Sequence, residues 1–511
     1  MQRMNWPLNM PQDEWNQRWL AAIAPEGWVN PQPADGYDLV VIGGGPAGLV
    51  TAAGAAGLGL GLKVALIERH WLGGDCLNVG CVPSKSLIAS SRVAGPQPSA
   101  AGFGVAMGRL REVRSRLAVH DSASRFTELG VDVFLGEGCF QGPDAVRVGS
   151  QTLRFKKAVI ATGTRPTIPE IPGLAAAGFV TNETVFDWTD RPARLAIIGG
   201  GPIGCELAQA FARLGTAVTL IQRRSRLLPR ESLEASAIVR AALAQDGVVV
   251  LTGQTIARID RQAAGCRIQL RPDEAIEVIE TADIEVDQIL VAAGRSPNVE
   301  TLNLAAAHVT TSAQGVEVND YLQTRNPRIF AAGDVCNPDR FTHAADAAAR
   351  LVLKNALFSP FGLGKSRWSA VTIPRVTYTD PEVASVGWVD DRSESDLRAN
   401  RQQSANRVVR IALDQLDRSR TDGKTAGCLQ IWLAPDRDRI LGATLVAPHA
   451  GETIGEIAVA MAAGWGLSRL AQVVHPYPTQ AECIKKAADA YRKTLLSDRT
   501  RRILSWLHRL S

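Results

Sequence analysis

The hydrophobic pattern of the chain is built from short continuous apolar runs that break at glycine and resume as alanine-rich stretches. Leu39–Leu62 runs 24 residues without a charge, long enough to span a bilayer, yet eight of those residues are glycine. Its opening, "LVVIGGGPAG", predicts a buried strand, a tight turn and a helix packed inside a protein. The longer stretch "YDLVVIGGGPAGLVTAAGAAGLGLGLKVALIER" therefore reads strand, turn, helix, strand, and the order recurs in "RLAIIGGGPIGCELAQAFARLGTAVTLIQRRSR". Two further strands end in punctuation, "KAVIATGTRP" with Ala161, Thr162 and Gly163, and "PRIFAAGDVC" with Gly333 and Asp334.

Each strand-turn-helix copy carries glycines at G-x-G-x-x-G spacing: Gly43, Gly45 and Gly48 in the first, Gly199, Gly201 and Gly204 in the second. Such a turn lets a pyrophosphate approach the backbone, and the helix N-terminus stabilises its charge. Glu68 closes the second strand of the first copy, where a carboxylate accepts hydrogen bonds from ribose hydroxyls. The second copy has Gln222 there, followed by Arg223 and Arg224. Two cradles imply two dinucleotides. With no carboxylate for a 2′-hydroxyl and two guanidinium groups for a 2′-phosphate, the second is expected to prefer NADPH to NADH.

At 511 residues, 46% hydrophobic and 21% charged, the chain is long enough for about three cored domains. Its eight cysteines are mostly scattered, unlike a small secreted disulfide scaffold, so a reducing compartment fits and the cytoplasm is expected. The first residues carry acids and tryptophans without an apolar signal core. The net charge of +5 is matched by the tail from Arg492 to Ser511 alone, which holds six Arg or Lys against one Asp. The remainder is neutral, which argues against nucleic-acid binding. Within the tail, Ile503, Trp506, Leu507 and Leu510 form one helical stripe beside Arg501, Arg502 and Arg509. Docking on the protein's own surface is the simpler expectation, and contact with an anionic membrane surface the alternative.

"GGDCLNVGCVPSK" sets Cys76 and Cys81 five positions apart, a spacing open to three readings: a structural staple, a metal clip or a redox centre. With "ATG", "AAGRSPN", "AAGD", "VTIPRVTYTDPEVASVG" and "HPYPTQAE" following in order, the chain from about Tyr37 to Thr494 resembles the pyridine nucleotide-disulfide oxidoreductase family, in the branch holding dihydrolipoamide dehydrogenase, glutathione reductase and mercuric reductase. The resemblance implies an α/β fold with two Rossmann-like domains, for FAD and NAD(P)H, and a C-terminal α+β dimerisation domain forming a homodimer. The expected division is an N-terminal extension (1–36), an FAD domain in two segments (37–188 and 321–366), an NAD(P)H domain (189–320), the dimerisation domain (367–494) and a basic tail (495–511).

FAD contacts carried over are Gly43, Gly45, Gly48, Glu68 and Asp334, with Thr162, Gly163 and Gly294 also counted among the cofactor-binding residues. The resemblance makes Cys76 and Cys81 the redox-active disulfide, with Cys81 facing the flavin and Cys76 as interchange thiol. A helix starting near Cys81 would favour its thiolate. Lys85 and Glu206 correspond to an ion pair beside the flavin. A zinc clip would need further Cys or His ligands at matching spacing. A stapling disulfide does not suit a cytosolic enzyme.

The chain departs from the family at its end. Disulfide-reducing members place a histidine, supplied by the partner subunit, where this chain has Tyr477, while Glu482 is kept; His475 lies two residues early. Imidazole titrates near 6.5 and a phenol near 10, so Tyr477 donates a hydrogen bond but is a poor base. Mercuric reductase has a tyrosine in that place, and the expected acceptor is Hg(II) or a similar soft metal ion held transiently by Cys76 and Cys81. A thiol-disulfide or dihydrolipoamide dehydrogenase-like enzyme, and a non-catalytic flavoprotein, are the alternatives. A terminal cysteine pair is absent, and Cys483 is expected to be a small buried hydrophobe.

Overall fold

The computed structural model describes residues 10–93, 99–272, 283–390, 407–435 and 437–511, so residues 1–9 of the expected extension lie outside the described residues. The uncharged run from Leu39 divides as expected. Strand β1 (Tyr37–Ile42) ends at the glycine turn, helix α2 (Pro46–Ala56) follows, and β2 (Val64–Glu68) runs parallel to β1 with Val40 opposite Ala65. The strands are buried on both faces, which is why they read as unbroken aliphatic sequence rather than alternation. Among the described residues no helix is long and apolar enough to cross a membrane.

The first sheet orders β3 (Val131–Leu135), β2, β1 and β6 (Gln151–Ile160) in parallel, and strand Ile329–Ala331 joins β6 from far along the chain. Strands β4 (Gly138–Gly142) and β5 (Ala145–Val148) form an antiparallel ribbon on β6. Helix Thr342–Leu357 shares one apolar cluster with α2, in which Ala47, Ala52, Ala345 and Ala348 are small enough for the two helices to lie close. Residues Leu302, Leu304, Val309 and Val316 pack with β1 and β6, so the chain rejoins the first unit before residue 321.

A second unit repeats the plan. Val249–Thr252, Ala217–Gln222, Arg194–Ile198 and Gln288–Val291 form a parallel sheet in that order, with helix Pro202–Arg213 after the glycine turn and an antiparallel ribbon at Gln254–Gln262, Gly265–Pro272 and Ile284–Val286. A five-stranded antiparallel sheet follows, ordered Pro374–Thr377, Glu382–Gly387, Ile440–Ala447, Cys428–Leu433 and Arg407–Ala412. Helices Ala450–Ala462 and Glu482–Thr494 share its core through Ile454, Ile457, Ile484 and Ala487. This is the expected mixed α/β fold with two dinucleotide-type sheets and a C-terminal α+β unit.

The N-terminal segment is part of the first unit. Helix α1 (Glu14–Ile23), capped by the Asp13 carboxylate, buries Trp19 and Ile23. Beyond it Trp28 donates to Val133 O, and Asn30 pairs both ways with the backbone of Leu135, which covers the edge of β3. The tail behaves differently. Its helix, Asp498–His508, keeps Ile503, Trp506 and Leu507 exposed, and Leu510 just beyond it is exposed too, so the expected docking onto the chain's own surface does not occur within one chain. The helix is amphipathic and follows Tyr491, the last residue of the C-terminal core cluster among the described residues.

The second glycine turn closes by backbone contact: a Cβ on Gly204 would sit 1.9 Å from Gly199 O, whereas one on Gly201 would meet open space. Gly204→Ala is therefore expected to lower the unfolding temperature, at a cost of about 1–3 kcal/mol, and Gly201→Ala to leave it near the parent value; paired thermal melts measure the contrast.

Candidate functional site

Both glycine turns open onto one cleft of about 1920 Å³ that also contains Cys76 and Cys81. At its first end Gly43 has φ +110°, and a Cβ there would meet Ala161 O at 2.3 Å. Gly45 and Gly201 cap their helices with almost the same backbone (φ −81°, ψ −175° and φ −80°, ψ −175°) and without a capping side chain. The first N–H groups of both helices therefore have no side-chain partner and suit a phosphate. Glu68 is buried, and its carboxylate accepts from Gly44 N and His70 N at 2.6 Å each; burial raises its pKa against those two bonds. Gln222 occupies the matching place, its Oε1 facing Gly200 N at 3.5 Å, so the brace is retained without charge. Arg223 and Arg224 are exposed on the cleft wall.

Thr162, Gly163, Asp334 and Gly294 line the same cleft. Asp334, pushed up in pKa by burial, accepts from Thr164 Oγ1 at 3.3 Å. Thr164 also takes Arg295 Nε at 2.7 Å, and Arg295 reaches on to the carboxylate of Asp75, next to Cys76. Arg295 went unnoticed in "AAGRSPN", where its neighbours carried the motif.

Cys76 lies in the short helix α3 (Gly74–Asn78), and Cys81 is the first residue of α4 (Cys81–Arg92). The two thiols are within hydrogen-bonding reach of one another, and Cys81 Sγ lies 3.4 Å from Thr342 Oγ1 at the start of helix Thr342–Leu357. The bond from Cys76 holds Cys81 below the usual thiol range, aided by the Lys85 charge and opposed by burial; the same bond and burial push Cys76 up. The expected helix terminus is present, and the neighbouring thiol and Lys85 favour the thiolate there. One turn on, Lys85 Nζ donates to Glu206 Oε2 at 2.7 Å and sits 4.5 Å from the Tyr378 ring centroid. Burial works to lower the Lys85 pKa, but Glu206 and Cys81 outweigh it and raise it. Glu206 also accepts from Tyr378 N at 2.8 Å.

Within one chain, Tyr477 and Glu482 are not brought to the dithiol. Tyr477 is exposed and donates to Asp417 Oδ2 at 2.8 Å, while Glu482 opens helix Glu482–Thr494 and pairs with Lys486. His475 turns inward to Glu456 at 2.7 Å. Cys483 is fully buried, with its thiol pushed up to about 12 by burial. Among the described residues no group of three or more His, Cys, Asp or Glu is gathered to hold a metal ion. Thr342 and Tyr378 are additional cleft residues. Tyr378 stood inside a quoted motif, whereas nothing local marked Thr342.

The chain matches the family described as pyridine nucleotide-disulphide oxidoreductase over residues 37–349, and the dimerisation domain of the same family over 373–488. It is 33% identical to a mercuric reductase of Staphylococcus aureus over 89% of this chain and 83% of that one. It is 33% identical to a dihydrolipoyl dehydrogenase of Thermus scotoductus over 89% and 98%. Among solved structures, the HOCl-induced flavoprotein disulfide reductase RclA of Escherichia coli superposes with a TM-score of 0.76 at 26% identity, covering 89% of this chain and 99% of that one.

Replacing Lys85 by Met removes the cation that favours the Cys81 thiolate. The midpoint for iodoacetamide alkylation of Cys81 in the reduced protein should move to higher pH than in the parent, and peptide mass spectrometry across a pH series reads the shift.

Proposed function

The chain belongs to the pyridine nucleotide-disulphide oxidoreductase family, which is FAD-dependent and uses a pyridine nucleotide, and from that premise we propose that it passes electrons from NADPH through FAD and the Cys76–Cys81 pair to Hg(II) or a similar soft metal ion. The observation that carries this reading is the adjacency of two thiols of opposite tendency, Cys81 favoured as thiolate and Cys76 as thiol, in a cleft with a glycine cradle at each end.

The first cradle suits FAD. Gly43 and Gly48 let the turn close against backbone and Gly45 leaves room for a pyrophosphate at the α2 N-terminus, Glu68 stands at the end of β2 for ribose hydroxyls, and Asp334 faces the cleft for a polyol chain. FAD, when bound, accepts a hydride from the nicotinamide and relays two electrons to sulfur or to a metal ion held by it. Arg223 and Arg224 supply forks for the 2′-phosphate of NADPH, where Gln222 offers no carboxylate to a 2′-hydroxyl. Lys85, anchored by Glu206, keeps positive charge beside Cys81 and favours its thiolate.

A metal acceptor accords with Tyr477. Reducing a disulfide substrate releases a thiol that needs a proton, a task suited to imidazole rather than a phenol. A soft ion held by two thiolates takes two electrons and leaves as the element, without a thiol leaving group. In a homodimer Tyr477 and Glu482 would come to the cleft from the partner subunit, and Tyr477 would donate to the metal-bound sulfur or an accompanying ligand.

NADPH oxidation with Hg(II) complexed to small thiols, run beside lipoamide and glutathione disulfide, tests the acceptor. Turnover is expected with the metal complex, and Tyr477→His should leave it unimproved; turnover confined to a disulfide would reject the metal reading. Replacing both Arg223 and Arg224 by Ala is expected to cut kcat/KM for NADPH by roughly tenfold or more while changing that for NADH little. Equal parent values for the two nucleotides would refute the preference.

A further inference from the structure

The N-terminal helix, unused in the reading above, reaches the cysteine pair from behind. Cys76 and Cys81 are separated by residues 77–80, and the five-residue α3 cannot satisfy its own last carbonyls. Two of the carbonyls in this linker take distant side-chain donors: Arg114 Nη1 donates to Asn78 O and Asn182 Nδ2 to Val79 O, each at 3.0 Å. The Asn78 side chain is committed as well. Its Nδ2 donates to Leu72 O and Gly74 O, and its Oδ1 accepts Trp19 Nε1–H at 2.7 Å.

Asn78 and Trp19 are 2% and 1% exposed, so water offers no replacement for that bond. The Arg114 guanidinium carbon lies 3.8 Å from the Trp19 ring centroid, and its Nη2 donates to Asn16 Oδ1 at 2.8 Å. Asp13, which caps α1, pairs with Arg111 at 2.5 Å. Helix α1 is thus tied by Asp13, Asn16 and Trp19 to a buried network that ends on the linker between the two sulfurs.

We propose that α1 is a clamp on the dithiol linker, with Trp19, Asn78 and Arg114 as positioning residues that set the separation of the Cys76 and Cys81 sulfurs and so the balance between dithiol and disulfide. The inference rests on the reading of Cys76–Cys81 as the redox pair. Without the indole N–H, Asn78 Oδ1 is left unpaired in the core, and any turn of that amide releases Leu72 O or Gly74 O in the turn that leads into Cys76. The sulfurs then gain freedom to separate, and the disulfide loses stability relative to the dithiol.

Trp19→Phe keeps an aromatic ring in the core beside Arg114 and deletes the donor, along with the volume of the five-membered ring. The full-length, flavin-loaded variant and its parent are equilibrated in glutathione buffers, where two glutathione thiols are oxidised to one glutathione disulfide for each Cys76–Cys81 disulfide reduced. Alkylation and mass spectrometry then read the dithiol fraction. The equilibrium is expected to shift by about threefold to tenfold toward the dithiol, with kcat reduced and the KM for NADPH unchanged. Asn16→Ala, which removes the acceptor for Arg114 Nη2 together with the bond from Asn16 Nδ2 to Pro11 O, should move it the same way by less, and serves if Trp19→Phe fails to fold. An unmoved equilibrium and kcat, even with a lower unfolding temperature, would make α1 a packing element and overturn the clamp. Cys81→Ser separates the two levels: parent-like turnover in that variant defeats the redox-pair reading, whereas an inactive Cys81→Ser beside an unmoved Trp19→Phe defeats the clamp alone.

Discussion

Glu206 is the carboxylate on which three parts of the chain converge. It stands on the helix after the second glycine turn, accepts Lys85 from α4 of the first unit at 2.7 Å, and accepts the backbone N–H of Tyr378 beside the first strand of the C-terminal sheet at 2.8 Å. Its side chain is 5% exposed, so both oxygens depend on those donors. Removing one partner of such a pair typically costs about 3–5 kcal/mol, because the remaining charge stays in a poorly solvated place. The same contact therefore orients the sheets and fixes a cation beside Cys81. The ion pair thus sits where the three units meet, and those units share an apolar cluster through Leu87, Phe211 and Val383.

Local features were legible in the sequence and distant ones were not. Both cradles could be read because glycine spacing, flanking aliphatic runs and the helix start all lie within about thirty residues of chain. The Cys76–Cys81 spacing was visible for the same reason, though its meaning came from family resemblance. Thr342 meets Cys81 across 261 positions and Arg295 meets Asp75 across 220. No periodicity registers such pairs. Helix α1 shows the limit from the other side: its tryptophans and acids read as an unassigned extension because their partners, Asn78, Arg111 and Arg114, lie elsewhere in the chain. The return to the first unit near Leu302 was missed because "AAGD" marks only the strand that completes the sheet, not the residues that pack beneath it.

The two Rossmann-like units also show how one scaffold is divided between ligands. Glu68 and Gln222 occupy equivalent places, each with a side-chain oxygen turned to the second glycine of its turn. The carboxylate is shorter-bonded and buried; the amide is longer-bonded and flanked by two exposed arginines. Changing a carboxylate to an amide preserves the turn's shape while removing the charge that would repel a phosphate. Shape is shared between the halves and electrostatics differ.

The cysteines are divided by the same logic. Burial by itself disfavours a thiolate at either sulfur, so the position of the charge is decided by what compensates it. Cys81 has Lys85 one helical turn away and receives the hydrogen bond of its neighbouring thiol, while the Thr342 hydroxyl serves both sulfurs. Cys76 has the nearby Asp121 carboxylate working against ionisation and a thiol proton to donate to its neighbour. The asymmetry needs no difference in sulfur chemistry. It follows from the hydrogen bond between the thiols, the Lys85 charge on the Cys81 side and the Asp121 carboxylate on the Cys76 side, across a four-residue linker held from outside by Arg114 and Asn182.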